Sequence, residues 1–305
     1  MIFVGASGRG LGGIDGVQTV FPDLALVLLV IVTQFGDVLV FVPALTIVLW
    51  FGDRDRGAAL IGVALGGVGL VLIAKQTLAL PRPPTSPPVP IADVPALFRP
   101  IYETEVTADG FGFPSGHATA ATIVWGSLAW WLDVGTRRRR IVGAAVVVAL
   151  VALSRVALGV HYVTDVVAGI GLGVAYLVAV AAIRDRFEGD ERRFLWLAVA
   201  LTAVGAAVQA GQDGWLAIGA ALGATIAWIA TDAPIQPWPA TPATIGRSLV
   251  VFVAMVGVGG AVGSALQVAG VPVDPALGVT TMITAGLLVA APGIDSIGTW
   301  IESGG

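Results

Sequence analysis

The chain of 305 residues contains no cysteine, a single lysine and two histidines, and only 12% of its residues are charged. The lack of cysteine excludes disulfides, thiolate catalysis and cysteine-ligated metal sites. In place of charge, the sequence has 56% hydrophobic residues and a mean hydropathy of +0.91. Because soluble domains rarely have this composition, the sequence indicates a protein embedded in a membrane.

Long apolar runs determine the predicted fold class. Runs of about 20 residues recur along the chain, which is the length that an α-helix needs to cross a bilayer core. Helices also satisfy every backbone polar group internally, as hydrocarbon requires. We therefore predict an all-α fold, a polytopic transmembrane helix bundle, with spans at about 24–51, 57–79, 117–132, 141–159, 164–183, 194–211, 214–231, 247–269 and 276–292.

The predicted bundle divides into two parts. We predict that residues 1–190 form a core of about five to six helices, which carries the polar clusters described below, and that residues 191–305 form a C-terminal extension of about four membrane helices. The sequence does not indicate a role for the extension. The first span is interrupted by TQFGD at residues 33–37. The spacing of Gly169 and Gly173 predicts close helix packing.

Positive charge lies mostly in the loops on one side of the predicted spans. Eleven arginines occupy these loops: Arg54, Arg56, Arg137, Arg138, Arg139, Arg140, Arg184, Arg186, Arg192, Arg193 and Arg247. The opposite side has Arg9 and Arg99, besides three basic residues that receive a binding role below. Because basic loops stay in the cytoplasm, we predict a multi-pass protein of the cell membrane whose loop 80–116 lies outside.

Three polar clusters interrupt the apolar pattern and contain both histidines. They are KQTLALPRP with Lys75 and Arg82, FPSGHAT with Ser115, Gly116 and His117, and SRVALGVHYVTD with Arg155, His161 and Asp165. At about 1.5 Å of rise per residue, the helices that carry them place all three clusters at the outer ends of neighbouring spans. Ionisable groups gathered in a bundle are costly, so the clusters indicate a functional site.

The charges of these clusters indicate an anionic ligand. The cations Lys75, Arg82 and Arg155 would repel one another without an anion among them, and a phosphate would satisfy all three. Ser115 and Gly116, at the start of a helix, offer further donors to phosphate oxygens. We expect no carboxylate cluster suited to Mg²⁺ or Zn²⁺, and so predict no metal and no cofactor.

The two histidines are predicted to have different roles. Asp165 lies one helical turn after His161 and can accept a hydrogen bond from Nδ1 of that ring, which leaves Nε2 as a nucleophile. His117 follows a tight Ser-Gly turn and is placed to protonate the leaving oxygen as a general acid. A lone histidine is more often a packed residue, but two histidines among these cations favour catalysis.

The order and spacing of these residues resemble the signature of the type 2 phosphatidic acid phosphatase superfamily, which includes the vanadium haloperoxidases. The signature is K-x6-RP, PSGH and SR-x5-H-x3-D, and no position of this sequence departs from it. The resemblance covers roughly residues 30–183. It implies a metal-independent phosphatase that works through a phosphohistidine on His161, usually on lipid phosphates or diphosphates.

The sequence therefore predicts a membrane-embedded phosphatase that hydrolyses a lipid phosphate or a polyprenyl or lipid diphosphate at the extracytoplasmic face. It does not separate these substrates. A phosphotransferase of the same family and, from a different class, a lipid transporter or scramblase stay as alternatives. A haloperoxidase is disfavoured because that branch is soluble. The predicted partners are the lipid substrate and the bilayer, without nucleic acid, and a homo-oligomer stays open.

Overall fold

The structure is a computed structural model that describes residues 13–107, 109–187, 192–231 and 237–302, without the side chains of Asp15 and of residues beyond 292. Arg9 lies outside these ranges. The described residues form twelve α-helices and no β-strand, which confirms the all-α prediction. The helices are α1 Gly13–Gln18, α2 Asp23–Thr33, α3 Val38–Phe51, α4 Arg54–Leu78, α5 Arg99–Val106, α6 Gly116–Trp131, α7 Arg137–Ala157, α8 Val163–Arg186, α9 Arg192–Val208, α10 Gln212–Ala230, α11 Pro242–Val268 and α12 Val273–Glu302.

The lengths of these helices confirm a multi-pass membrane protein. In the described part of the chain, six helices are long and apolar enough to cross a bilayer, namely α4, α7, α8, α10, α11 and the Val273–Pro292 part of α12. A seventh span results if Asp23–Gly36 and Val38–Phe51, which are bent by 40°, act as one. The predicted spans at 117–132 and 194–211 correspond to α6 and α9. These helices have 16 and 17 residues and are shorter than each of the six helices above.

The chain separates into two compact units that alternate along the sequence. The first combines the residues up to Phe41 with Ala74–Ala182, and the second combines Val42–Ile73 with the residues from Ile183 onward. All three polar clusters belong to the first unit. The functional division at residue 190 stays a prediction.

Within the first unit, α2 and α5 pack against the end of α7. Val30, Tyr102 and Leu158 belong to one buried apolar cluster. The Tyr102 hydroxyl accepts a hydrogen bond from the Val89 N–H and donates one to the Val89 carbonyl, both at 2.9 Å. This pair of bonds fastens α5 to the proline-rich segment that follows α4.

The predicted interruption at residues 33–37 is confirmed. A single 3-10 turn, Gln34–Gly36, separates α2 from α3. Trp125 on α6 donates its indole N–H to the Phe35 carbonyl at 2.7 Å. A Cβ at Gly36 would lie 3.1 Å from the carbonyl oxygen of His117, so the turn needs a glycine to approach α6 this closely. The break therefore brings Asp37 to the first turn of α6.

Within the second unit, small residues allow helices to pack backbone to backbone. A Cβ at Gly219 or Gly223 of α10 would overlap the carbonyls of Gly278 and Met282 on α12. The Trp50 indole N–H donates to the Leu288 carbonyl at 2.8 Å. Close approach between small residues is the usual means of helix association in a membrane.

Candidate active site

The connection between α7 and α8 carries His161 and turns at a glycine. Gly159 has a φ of +75°, a left-handed conformation that L-residues with side chains rarely adopt. The Thr85 hydroxyl donates to the Gly159 carbonyl at 2.6 Å, which ties this turn to the segment after α4. Arg82 of the first sequence cluster reaches the same turn, because its Nη1 donates to the Val160 carbonyl at 3.1 Å. The first and third sequence clusters therefore meet next to His161.

The contacts of His161 indicate which ring nitrogen carries the proton. Nε2 lies 3.2 Å from Nη1 of Arg82, and Nδ1 lies 3.5 Å from Oδ2 of Asp165. A guanidinium can only donate hydrogen bonds, so Nε2 must be the acceptor in the first contact. The proton of a neutral ring then sits on Nδ1, on the side of the carboxylate. The contact with Asp165 is long for a hydrogen bond.

The environment of His161 favours the neutral ring. His161 is 1% exposed. Burial, together with the positive charges of Arg155, Arg82 and Lys75, lowers the pKa of His161 well below its usual range. Burial and the charge of Arg155 also lower the pKa of Arg82 to about 10, which still leaves this guanidinium protonated at pH 7. The Nε2 lone pair of His161 is therefore free of a proton at neutral pH.

The FPSGHAT turn is held directly against the start of α8. The Ser115 N–H donates to the Asp165 carbonyl at 3.0 Å, and the Ser115 hydroxyl oxygen caps α6 by accepting from the Ala118 N–H at 3.4 Å. A Cβ at Gly169 would lie 2.6 Å from the Ser115 carbonyl, which confirms the close packing predicted for this glycine. The second and third sequence clusters are thereby joined.

A buried ion pair links α7 to α5. Arg155, which is 1% exposed, donates from Nη1 to Oε2 of Glu105 and, at 3.0 Å, to the hydroxyl of Thr33. Glu105 is 7% exposed, and its Oε1 accepts a hydrogen bond from the Gln34 amide at 2.8 Å. Three elements of the first unit thus meet at one pair of opposite charges.

Glu105 is ionised in this setting. Burial alone would raise its pKa, but the His117 ring and the Arg155 guanidinium lower the pKa of Glu105 to about 2. The sequence analysis did not include this residue in the site and treated the three cations as lacking an anion. The structure corrects that interpretation, because Glu105 supplies a negative charge to Arg155.

His117 lies between two carboxylates that the sequence analysis did not assign to the site. Its Nε2 is 3.5 Å from Oδ2 of Asp37 and 3.6 Å from Oε2 of Glu105. The ligand atoms of these three residues lie within 4.8 Å of one another, so their spacing alone would allow a metal ion. This corrects the expectation that no such cluster forms. The Arg155 guanidinium bonded to Glu105 nevertheless disfavours a second cation there.

All eight residues singled out in the sequence lie in the first unit. The contacts above place six of them, and the other two are Lys75 and Gly116. Lys75 is in the last turn of α4, close enough for its charge to act on His161. Gly116 begins α6, directly before His117. Glu105 had one local signal, because Tyr102 lies three residues earlier and so shares its face of α5.

Known proteins match the part of the chain that contains these residues. A family model described as the PAP2 superfamily matches residues 56–188. Residues 56–188, which are less than half of the chain, are thus similar to the PAP2 superfamily and are called the PAP2 segment below. The resemblance seen in the sequence is thereby confirmed, and the PAP2 segment includes every predicted site residue as well as Glu105.

A curated protein and a solved structure that are similar to this chain both come from Bacillus subtilis. Phosphatidylglycerophosphatase B of strain 168 is 34% identical over 96 residues, which are 30% of this chain and 47% of that protein. The match thus spans about half the length of that relative. The solved structure is the crystal structure of the first transmembrane PAP2 type phosphatidylglycerolphosphate phosphatase. The match covers 58% of this chain and 84% of the crystallised chain, with 23% sequence identity and a TM-score of 0.46.

The contact between α8 and the FPSGHAT turn gives a matched pair of variants. Gly169→Ala should destabilise the protein, because its Cβ would press on the Ser115 carbonyl, and overpacking typically costs about 1–3 kcal/mol. Gly171→Ala, where nothing lies within 4 Å of the added Cβ, should leave stability unchanged or slightly raised. Thermal unfolding in detergent measures both. Equal melting temperatures for the two variants would contradict this packing.

Proposed function

We propose that the chain is a membrane lipid phosphatase in which His161 is the nucleophile. The observation that supports this most is the pairing of His161 Nε2 with the Arg82 guanidinium, with Asp165 on the opposite side of the ring. A neutral imidazole with an unprotonated Nε2 among three cations is suited to attack an anionic phosphorus. The similarity of residues 56–188 to the PAP2 superfamily supports the same reaction class.

The proposed reaction has two steps. In the first, the Nε2 lone pair of His161 forms a bond to phosphorus while the bond from phosphorus to the leaving oxygen breaks, and His117 gives that oxygen a proton. In the second, water attacks the phosphohistidine, His117 takes a proton from the water, and the P–N bond breaks to release phosphate. Asp165 orients the His161 ring through Nδ1 in both steps.

The three cations would stabilise the charge on the phosphoryl oxygens. The positive charges of Lys75, Arg82 and Arg155 all act on the His161 ring, where the phosphorus would bind. The Nε–H of Arg155 has no hydrogen-bond partner among the described residues, whereas Nη1 is bound to Glu105. One edge of this guanidinium is thus left to bind a phosphate oxygen. With Ser115 and Gly116 at the start of α6, these groups make a metal ion unnecessary for charge stabilisation.

The substrate is proposed to be a lipid phosphate ester or a lipid diphosphate. The apolar helices would let a lipid tail approach from the bilayer, and the relative from Bacillus subtilis is a phosphatidylglycerophosphatase. The purified protein should release phosphate from members of a panel of lipid mono- and diphosphates, in excess EDTA and with inhibition by vanadate. A rate that collapses with EDTA and returns only with Mg²⁺ would contradict the proposed metal-free site.

Replacement of each histidine separates the two roles. His161→Ala should abolish turnover and leave no acid-labile phosphoenzyme, because the atom that bonds to phosphorus is gone. His117→Ala should still form the phosphoenzyme with p-nitrophenyl phosphate, whose leaving group hardly needs a proton. Rapid quenching after incubation with labelled substrate measures the phosphoenzyme. Its persistence in His161→Ala would rule out His161 as the nucleophile.

We also propose that the site faces the outside of the cell membrane, on the basis of the arginine distribution. The absence of cysteine allows a direct test by single-cysteine labelling. A membrane-impermeant maleimide should label Thr104→Cys, at an exposed position of α5, in intact cells. It should label Val134→Cys, which is 73% exposed in the α6–α7 loop, only after lysis. The reverse pattern would invert the topology.

A further inference from the structure

One buried carboxylate of the site has no part in the proposed phosphoryl transfer. Glu105 lies on α5, outside the three sequence clusters, and both of its oxygens are engaged, Oε2 by Arg155 and Oε1 by Gln34. A carboxylate repels a phosphate, so Glu105 is not suited to touch the substrate. Any effect of Glu105 on the reaction must therefore pass through its neighbours.

One neighbour that Glu105 faces is His117. Nε2 of this ring lies between Oδ2 of Asp37 at 3.5 Å and Oε2 of Glu105 at 3.6 Å. Burial and the positive charge of Arg155 disfavour the protonated imidazole, whereas the two carboxylates favour it. Glu105 supports the proton in two ways, because it faces the ring and also neutralises Arg155.

The remaining charged groups of the cluster face His161 instead. Asp165 lies 3.5 Å from Nδ1 of that ring, and Arg82 lies 3.2 Å from Nε2. The main charged groups that act on His117 are Arg155, Glu105 and Asp37. Because burial and Arg155 both disfavour the proton on this ring, its retention depends on the two carboxylates, and Glu105 is the one that contacts both the ring and the guanidinium.

We propose that Glu105 is a positioning residue that keeps the proton on His117 available for the leaving oxygen. The inference rests on the proposed function, because it requires His117 to act as the general acid. Such a role matters most when the leaving oxygen is strongly basic, as in a lipid ester. It matters little when the leaving group departs without a proton.

The test uses the full-length protein in detergent and two substrates. Glu105→Gln should lower kcat by roughly tenfold or more with a lipid phosphate ester and far less with p-nitrophenyl phosphate, as expected for impaired acid catalysis. Glu103→Gln removes an exposed carboxylate from the same helix and should leave both rates unchanged. Glu105→Asp retains the charge and should recover part of the rate with the lipid ester.

The pH profile gives a readout that a purely structural role would not change. An acid must be protonated, so the rate with the lipid ester falls as pH rises and His117 loses its proton. Without the negative charge of Glu105 the proton leaves more easily, and this alkaline limb should move to lower pH in Glu105→Gln. In a His117→Ala background, Glu105→Gln should cause almost no further loss, because residues that act as a unit are not additive.

The possible failures can be distinguished. If wild-type protein releases phosphate from neither substrate, the proposed function is wrong and the inference fails with it. If wild type is active but Glu105→Gln loses the same factor with both substrates and its alkaline limb stays in place, Glu105 acts through Arg155 alone and the inference is overturned. If thermal unfolding shows that Glu105→Gln does not fold, Asp37→Asn must show the same dependence on leaving group and pH. Its failure to do so overturns the inference.

Discussion

The buried ion pair between Arg155 and Glu105 is the interaction on which the geometry of this site depends. Burying either charge alone would be costly, and the pair is tolerable because Thr33 and Gln34 supply further hydrogen bonds. Removing one partner of such a pair typically costs about 3–5 kcal/mol. Because its two members lie on α7 and α5 and Arg155 also binds Thr33 at the end of α2, the pair determines where these three elements meet.

The same charges distinguish the two histidines chemically. The cations act on His161, whose ring is buried and held neutral, so its Nε2 can serve as a nucleophile. His117 has two carboxylates at Nε2, which favour a proton on that atom. At His117 these carboxylates oppose the effects of burial and of Arg155, whereas Nε2 of His161 faces the Arg82 guanidinium. The proposed division of roles between acid and nucleophile rests on these different partners of the two Nε2 atoms.

The sequence predicted the features that depend on local spacing. Apolar runs long enough to cross a bilayer predicted the all-α fold, and Asp165 faces His161 because four residues make about one helical turn. Glu105 could not be assigned to the site in the same way, because its position depends on the path of the loop between α4 and α6, which has no periodic pattern. Only its spacing from Tyr102 gave a local indication that its side of α5 is buried.

The ion pair is compatible with phosphate binding because a guanidinium has more than one donor edge. Nη1 of Arg155 is bound to Glu105 and Thr33, while its Nε–H has no hydrogen-bond partner among the described residues. A phosphate oxygen at this second edge would not need to displace the carboxylate. In the proposed reaction, Glu105 would hold the plane of the guanidinium fixed while the other edge binds the substrate, so the rotational freedom of a long side chain would be lost on folding instead of on binding.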